Sequence, residues 1–170
     1  MKPLFFTLDP DHPLVTNLID GMSAEHGELE YRQFPDGESY LRVLSDCTDR
    51  SVAIFCNLHQ PDSKVLKLLF LANTLRELGA TRVGLITPYL AYMRQDKRFK
   101  PGECVSSRPF ARLLSEHLDW LVTLDPHLHR YNSLDEIYSL RSSVVHAAPM
   151  IANSTNCSAG QSTFAPRSRT

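Results

Sequence analysis

Apolar residues fall in short runs and stripes, and their spacing alternates along the chain between strand-like and helix-like. Pro3–Asp9 carries Leu4-Phe5-Phe6 and reads as a first strand. Asp9-Pro-Asp-His-Pro is a turn into a helix over about Leu14–Glu25, with Gly27 as its stop. Glu28–Gln33 alternates and reads as a strand. The Asp-Gly pair in Phe34-Pro-Asp-Gly-Glu38 is a hairpin signal. In the returning strand Leu41 and Val43 share one side, Tyr40 and Arg42 the other.

Ser51–Asn57 is a continuous apolar run, as in a strand covered on both faces. Pro61 or Asp62 then opens a helix ending near Leu78, with Gly79 as its stop and Val65, Leu68, Leu69, Ala72 and Leu75 as a wide apolar stripe. Roughly 17 residues at 1.5 Å each give about 25 Å, enough to cover one face of a sheet. Arg82–Thr87 is the next strand. Ser106 or Ser107 caps a helix to about Leu118, with Pro109 in its first turn and Phe110, Leu113, Leu114 and His117 along one side. Trp120–Asp125 is another strand, and Val144–Asn153 reads as the start of a further helix with Pro149 in its first turn. Alternating strands and helices imply an α/β fold: a three-layer, open, mainly parallel sheet with a hairpin near the front. Ser154–Thr170 is polar, holds Phe164 as its single large apolar residue and shows no period, so disorder is expected there.

Composition narrows this little. A chain of 170 residues suits one core, and a net charge of −1 argues against broad nucleic-acid binding, so any basic site must be local. No apolar run approaches the roughly 20 residues that span a bilayer. The four cysteines, Cys47, Cys56, Cys104 and Cys157, lack metal spacing. With no signal-like segment at residues 1–9, the expectation is reduced thiols in a cytoplasmic protein.

Candidate chemistry lies in three loops that follow strands. Phe34–Glu38 holds Asp36 and Glu38, which a plain turn also explains. Tyr89–Glu103 mixes aromatics with Arg94, Gln95, Asp96, Lys97, Arg98 and Lys100. Cations there suit phosphate oxygens, and aromatics offer faces for a base, although a solvated basic loop is the plain alternative. Asp125-Pro-His127 sits at a strand mouth and can hold a divalent cation; taken alone, a surface turn explains it at least as well. His129 is a bystander.

In combination these motifs are more specific. Phe34-Pro-Asp-Gly-Glu38, Pro88-Tyr-Leu-Ala-Tyr-Met-Arg-Gln-Asp-Lys97 and Thr123-Leu-Asp-Pro-His127 resemble, in order, the motifs of ribose-phosphate pyrophosphokinases, also called phosphoribosyl pyrophosphate synthetases. Arg98-Phe-Lys-Pro-Gly-Glu103 and Asp125-Pro-His-Leu-His-Arg130 resemble the archaeal-like branch. The resemblance runs from about Leu4 to Ala152, the amino-terminal half of a typical member. It implies the type I phosphoribosyltransferase fold for an ATP-binding domain over residues 1–153. It further implies transfer of diphosphate from Mg-ATP to ribose 5-phosphate, giving phosphoribosyl pyrophosphate and AMP for nucleotide biosynthesis. Phe34 matches the adenine-stacking position, and Asp36 and Glu38 match adenine contacts supplied by a neighbouring subunit. Arg94, Gln95 and His127 match ATP contacts, and Asp125 with His127 matches the Mg2+ and phosphate site. Phe99 stands where many members carry an acidic contact.

The family's catalytic loop and the loop that cradles ribose 5-phosphate have no counterpart in this sequence, so no catalytic residue is assigned. The expectation is a truncated chain with a disordered or out-of-frame tail at 154–170 and little synthetase activity alone. It would form a homo-oligomer or pair with a full-length synthetase, without nucleic-acid or membrane partners. The alternative is a non-catalytic regulatory or subunit-interface module associating with a full-length synthetase. Exposed apolar surface is expected near Val144–Ile151.

Overall fold

The computed structural model describes residues 1–147. Six parallel strands form one twisted sheet in the order β2-β1-β5-β6-β7-β8: β1 (Leu4–Thr7), β2 (Glu25–His26), β5 (Ser51–Phe55), β6 (Arg82–Thr87), β7 (Trp120–Leu124) and β8 (Arg141–Val145). A separate antiparallel hairpin joins β3 (Leu29–Gln33) to β4 (Ser39–Val43). Among the described residues three α-helices flank the sheet: α1 (Leu14–Gly21), α2 (Val65–Glu77) and α3 (Ser107–His117). This is the α/β architecture expected from the alternation of strands and helices.

Strand residues alternate between two cores. Leu4, Phe6, Val52, Ile54, Val83, Leu85 and Leu121 pack under α2 and α3, where Leu68, Leu71, Ala72, Leu75, Phe110, Ala111 and Leu114 are buried. Phe5, Ala53 and Phe55 face the other way, onto Val15, Leu14, Leu18 and Ile19 of α1. The α1 face is the thinner cover, since α1 has 8 residues and α2 has 13. An apolar groove of about 560 Å3 remains beside it, lined in part by Leu18, Ile86, Val122, Leu124, Val145 and Ala147. Val144, Val145 and Ala147 are half-buried rather than exposed, and residues 148–151 of that expectation lie outside the described residues.

Several boundaries differ from the expectations. The first helix stops at Gly21, and Glu25–His26 runs as an edge strand along Leu4–Phe5. The unpaired edge of β1 supplies carbonyls of Pro3 and Phe5 to the Glu25 and Gly27 amides, which outweighs continuing the helix. Gly27 is thus no helix stop. It clears space for the Phe6 ring, since a Cβ there would sit 2.4 Å from ring carbon Cζ. A single 3-10 turn at Pro61–Ser63 precedes α2, and Gly79 does end that helix, at φ 89°. Neither Ser106 nor Ser107 caps α3 through its side chain. Arg141–Val145 is a strand, so Val144 and Val145 do not begin a helix; residues 148–153 and the tail at 154–170 lie outside the described residues.

Candidate nucleotide-phosphate site

Strands β6 and β7 pair in parallel, with Thr87 opposite Thr123, so the loops that follow them rise from neighbouring positions on the sheet edge. Open parallel sheets place ligands outside such carboxyl ends. Between the two loops lies a cleft of about 170 Å3 lined by Tyr89, Leu90, Met93, Arg94, Leu124, Asp125, Pro126 and His127. That is room for phosphoryl groups and too little for a whole nucleotide.

Each wall has a local cause. Leu90, Ala91 and Met93 are buried, which pins the first loop and leaves Arg94 facing solvent with no carboxylate partner among the described residues. Tyr92 turns away at φ 58°, packs on Phe110 with ring centroids 4.7 Å apart, and donates its hydroxyl to Asp62. In the second loop Asp125 is held at φ 33°, a region costly for a residue with a side chain. Its backbone amide donates to the Val145 carbonyl at 3.1 Å. One carboxylate oxygen meets His146 Nδ1 at 2.9 Å and the other accepts the Ala147 amide at 3.0 Å. The Ala147 amide, then His146, holds the Asp125 carboxyl below its ordinary range. His127 is exposed, its ring edge-on to His129 with centroids 3.9 Å apart.

The fold thus gathers Arg94, Asp125 and His127, and not every candidate. Gln95 points into its own loop, its amide nitrogen donating to Glu103 at 3.3 Å and the Lys97 carbonyl at 3.4 Å. Phe34, Asp36 and Glu38 sit at the hairpin tip and line no part of the cleft. There Asp36 accepts the Glu38 amide at 3.1 Å, and Arg32 lies over the rings of Phe34 and Tyr40. Nor is the first loop merely solvated. Glu103 accepts the Phe99 and Lys100 amides at 2.8 and 3.0 Å, which holds its carboxyl below the ordinary range. Asp96 is buried against Arg130. Neither the Asp96–Arg130 pair nor the Glu103 turn was anticipated; the only hint was acids among the cations of residues 94–103.

Among the described residues no group of three or more His, Cys, Asp or Glu side chains could enclose a metal ion. Each Asp125 oxygen takes one hydrogen bond and so keeps further acceptor capacity, the chemistry a divalent cation with phosphate and water ligands would need from a carboxylate.

A family model described as the N-terminal domain of ribose phosphate pyrophosphokinase matches residues 4–117. The chain belongs to that family. Among curated relatives, the ribose-phosphate pyrophosphokinase of Saccharolobus solfataricus is 43% identical over 102 residues, covering 59% of this chain and 35% of that protein. Its counterpart from Methanothermobacter thermautotrophicus is 36% identical over 140 residues, 82% of this chain and 48% of the relative. These relatives are archaeal, the branch that Arg98–Glu103 and Asp125–Arg130 suggest. The chain therefore spans half or less of the length of the relatives it matches. In fold it resembles the crystal structure of phosphoribosylpyrophosphate synthetase from Mycobacterium smegmatis, with a TM-score of 0.79 at 21% identity over 91% of this chain and 52% of that one. No helix among the described residues is long and apolar enough to cross a membrane.

Proposed function

We propose that this chain carries the ATP-binding half of a cytoplasmic ribose-phosphate pyrophosphokinase site. Arg94 and His127 contact the phosphates of Mg-ATP, and Asp125 with His127 faces the Mg2+ that the nucleotide brings. In the complete reaction the 1-hydroxyl oxygen of ribose 5-phosphate bonds to the β-phosphorus. The bond from that phosphorus to the α,β-bridging oxygen breaks, AMP leaves with the electron pair, and the hydroxyl proton is released. The metal neutralises phosphate charge; the chain's own part is to bind and orient, the main protein contribution to phosphoryl transfer.

The observation that carries this reading is the convergence of Arg94, Asp125 and His127 from two loops on one cleft of phosphoryl size. The adenine falls outside so small a cleft, in keeping with an adenine contact by Phe34, Asp36 and Glu38 of a second subunit. Gln95 reaches the nucleotide only by leaving Glu103, and otherwise supports the loop from within. Calorimetric titration of the purified chain with Mg-ATP tests the reading. Saturable binding, weakened by Arg94→Ala and by His127→Ala, is expected; absence of binding at millimolar Mg-ATP overturns it.

A further inference from the structure

The Asp96 carboxylate is 2% exposed and takes Arg130 Nη1 on both oxygens, at 2.8 and 3.0 Å. Around this pair the two loops are fastened at several points. Tyr131 donates its hydroxyl to the Asp96 carbonyl at 3.4 Å and lies 3.2 Å from the buried Ser107 hydroxyl. The Ser107 amide donates to the Gln95 carbonyl at 3.3 Å. The Arg130 guanidinium also lies 5.4 Å from the Phe99 ring centroid, with Lys97 Nζ 4.9 Å from the same ring.

We propose that Asp96 and Arg130 are positioning residues, a clasp that holds Arg94 and His127 at a fixed separation for the phosphates. The inference rests on the nucleotide reading above and extends it to residues that touch no ligand. Asp96 lies two residues after Arg94, and Arg130 three after His127. At no more than about 3.5 Å per residue, those tethers are roughly 7 and 10 Å long. With the clasp shut, neither phosphate-facing side chain can drift far from the other. With it open, the first loop keeps its buried Leu90, Ala91 and Met93 and the Tyr131 hydroxyl contact, but the link from Arg130 back to Asp96 is gone, and orientation entropy returns to the binding step. Because one nitrogen, Nη1, reaches both Asp96 oxygens, Arg130→Lys keeps the charge that faces Asp96 and loses only the guanidinium plane beside the Phe99 ring.

An ion pair that serves stability alone would make a different prediction, so the test reads position and stability separately. Arg130→Gln, Arg130→Lys and the double variant Asp96→Asn/Arg130→Gln are compared with the unsubstituted chain. The double variant leaves no buried charge unpaired and covers the case in which Arg130→Gln fails to fold. One measurement is the rate of tryptic cleavage at Lys97 and Arg98 relative to Arg76 and Arg82, and the other is the dissociation constant for Mg-ATP. Expected are cleavage at Lys97 and Arg98 at least tenfold faster with Arg76 and Arg82 unchanged, affinity at least tenfold weaker, and partial recovery of both in Arg130→Lys. Undiminished affinity in folded variants, or cleavage that rises equally at all four sites, overturns the clasp. Failure of the unsubstituted chain to bind Mg-ATP overturns the nucleotide reading instead.

Discussion

The indole of Trp120 lies directly over Gly84, its register partner across strands β6 and β7, and a Cβ on Gly84 would come within 1.8 Å of ring carbon Cε2. The ring takes the place a side chain would hold. Gly84→Ala forces the indole or the strand to shift, an overpacking that typically costs about 1–3 kcal/mol. Denaturant unfolding followed by fluorescence of this single tryptophan measures it. A variant as stable as its parent would show that the contact is slack.

Arg94 has no intramolecular carboxylate among the described residues, so removing it frees no buried acid and tests ligand contact alone. A hydrogen bond to a charged group is worth about 1.5–3 kcal/mol, which converts to roughly a ten- to more than hundredfold loss of affinity. Arg94→Ala should show that loss for Mg-ATP by calorimetry. Gln95→Ala should cost about threefold or less, because its amide is spent on Glu103 and Lys97.

Glu103 gives the loop an acid limit. The Lys100 and Phe99 amides, with Gln95, hold its carboxyl below the usual value of 4.5. A group depressed in the folded state stabilises fully above its unfolded value and ceases to do so as pH falls through the folded one. The turn at Phe99–Glu103 should therefore hold above about pH 4.5 and loosen as the pH drops through the lowered folded value. Amide chemical shifts of Phe99 and Lys100 report this directly. In Glu103→Gln the acid transition should vanish.

Thiol reactivity should divide by burial. Cys104 is exposed, while Cys47 and Cys56 are buried; burial pushes the Cys56 thiol up to about 12 and raises that of Cys47. In a Cys157→Ser chain, a thiol reagent at pH 8 should modify one group quickly, and the two others only with denaturant. Rapid modification of all three without denaturant would contradict the packing around Ile54 and Leu68.

The runs at Leu4–Phe6 and Ser51–Phe55 and the stripe on α2 were legible because each buried surface repeats at the period of its own element. Arg141–Val145 was not. Its Arg-Ser-Ser start carries no strand signature, and pairing with Trp120–Leu124 decides its conformation. Likewise Glu25–His26 owes its form to the open edge of β1. At the site, the sequence marked which residues carry charge but not which charges cancel. Arg94 and Arg130 look alike along the chain; one faces the cleft, and the other is spent on Asp96 across 34 residues.

The pairing of Thr87 with Thr123, both buried, acts as a common datum from which two loops are measured. An insertion within β6 would lift Arg94 by about 3.3 Å relative to His127 and would also reverse the facing of every later strand residue. Insertions after Asp96 and before Glu103 change neither. Length variation between descendants of this chain should therefore collect between Lys97 and Glu103, on the far side of the clasp, while the spacing from Thr87 to Asp96 and from Thr123 to Arg130 stays constant.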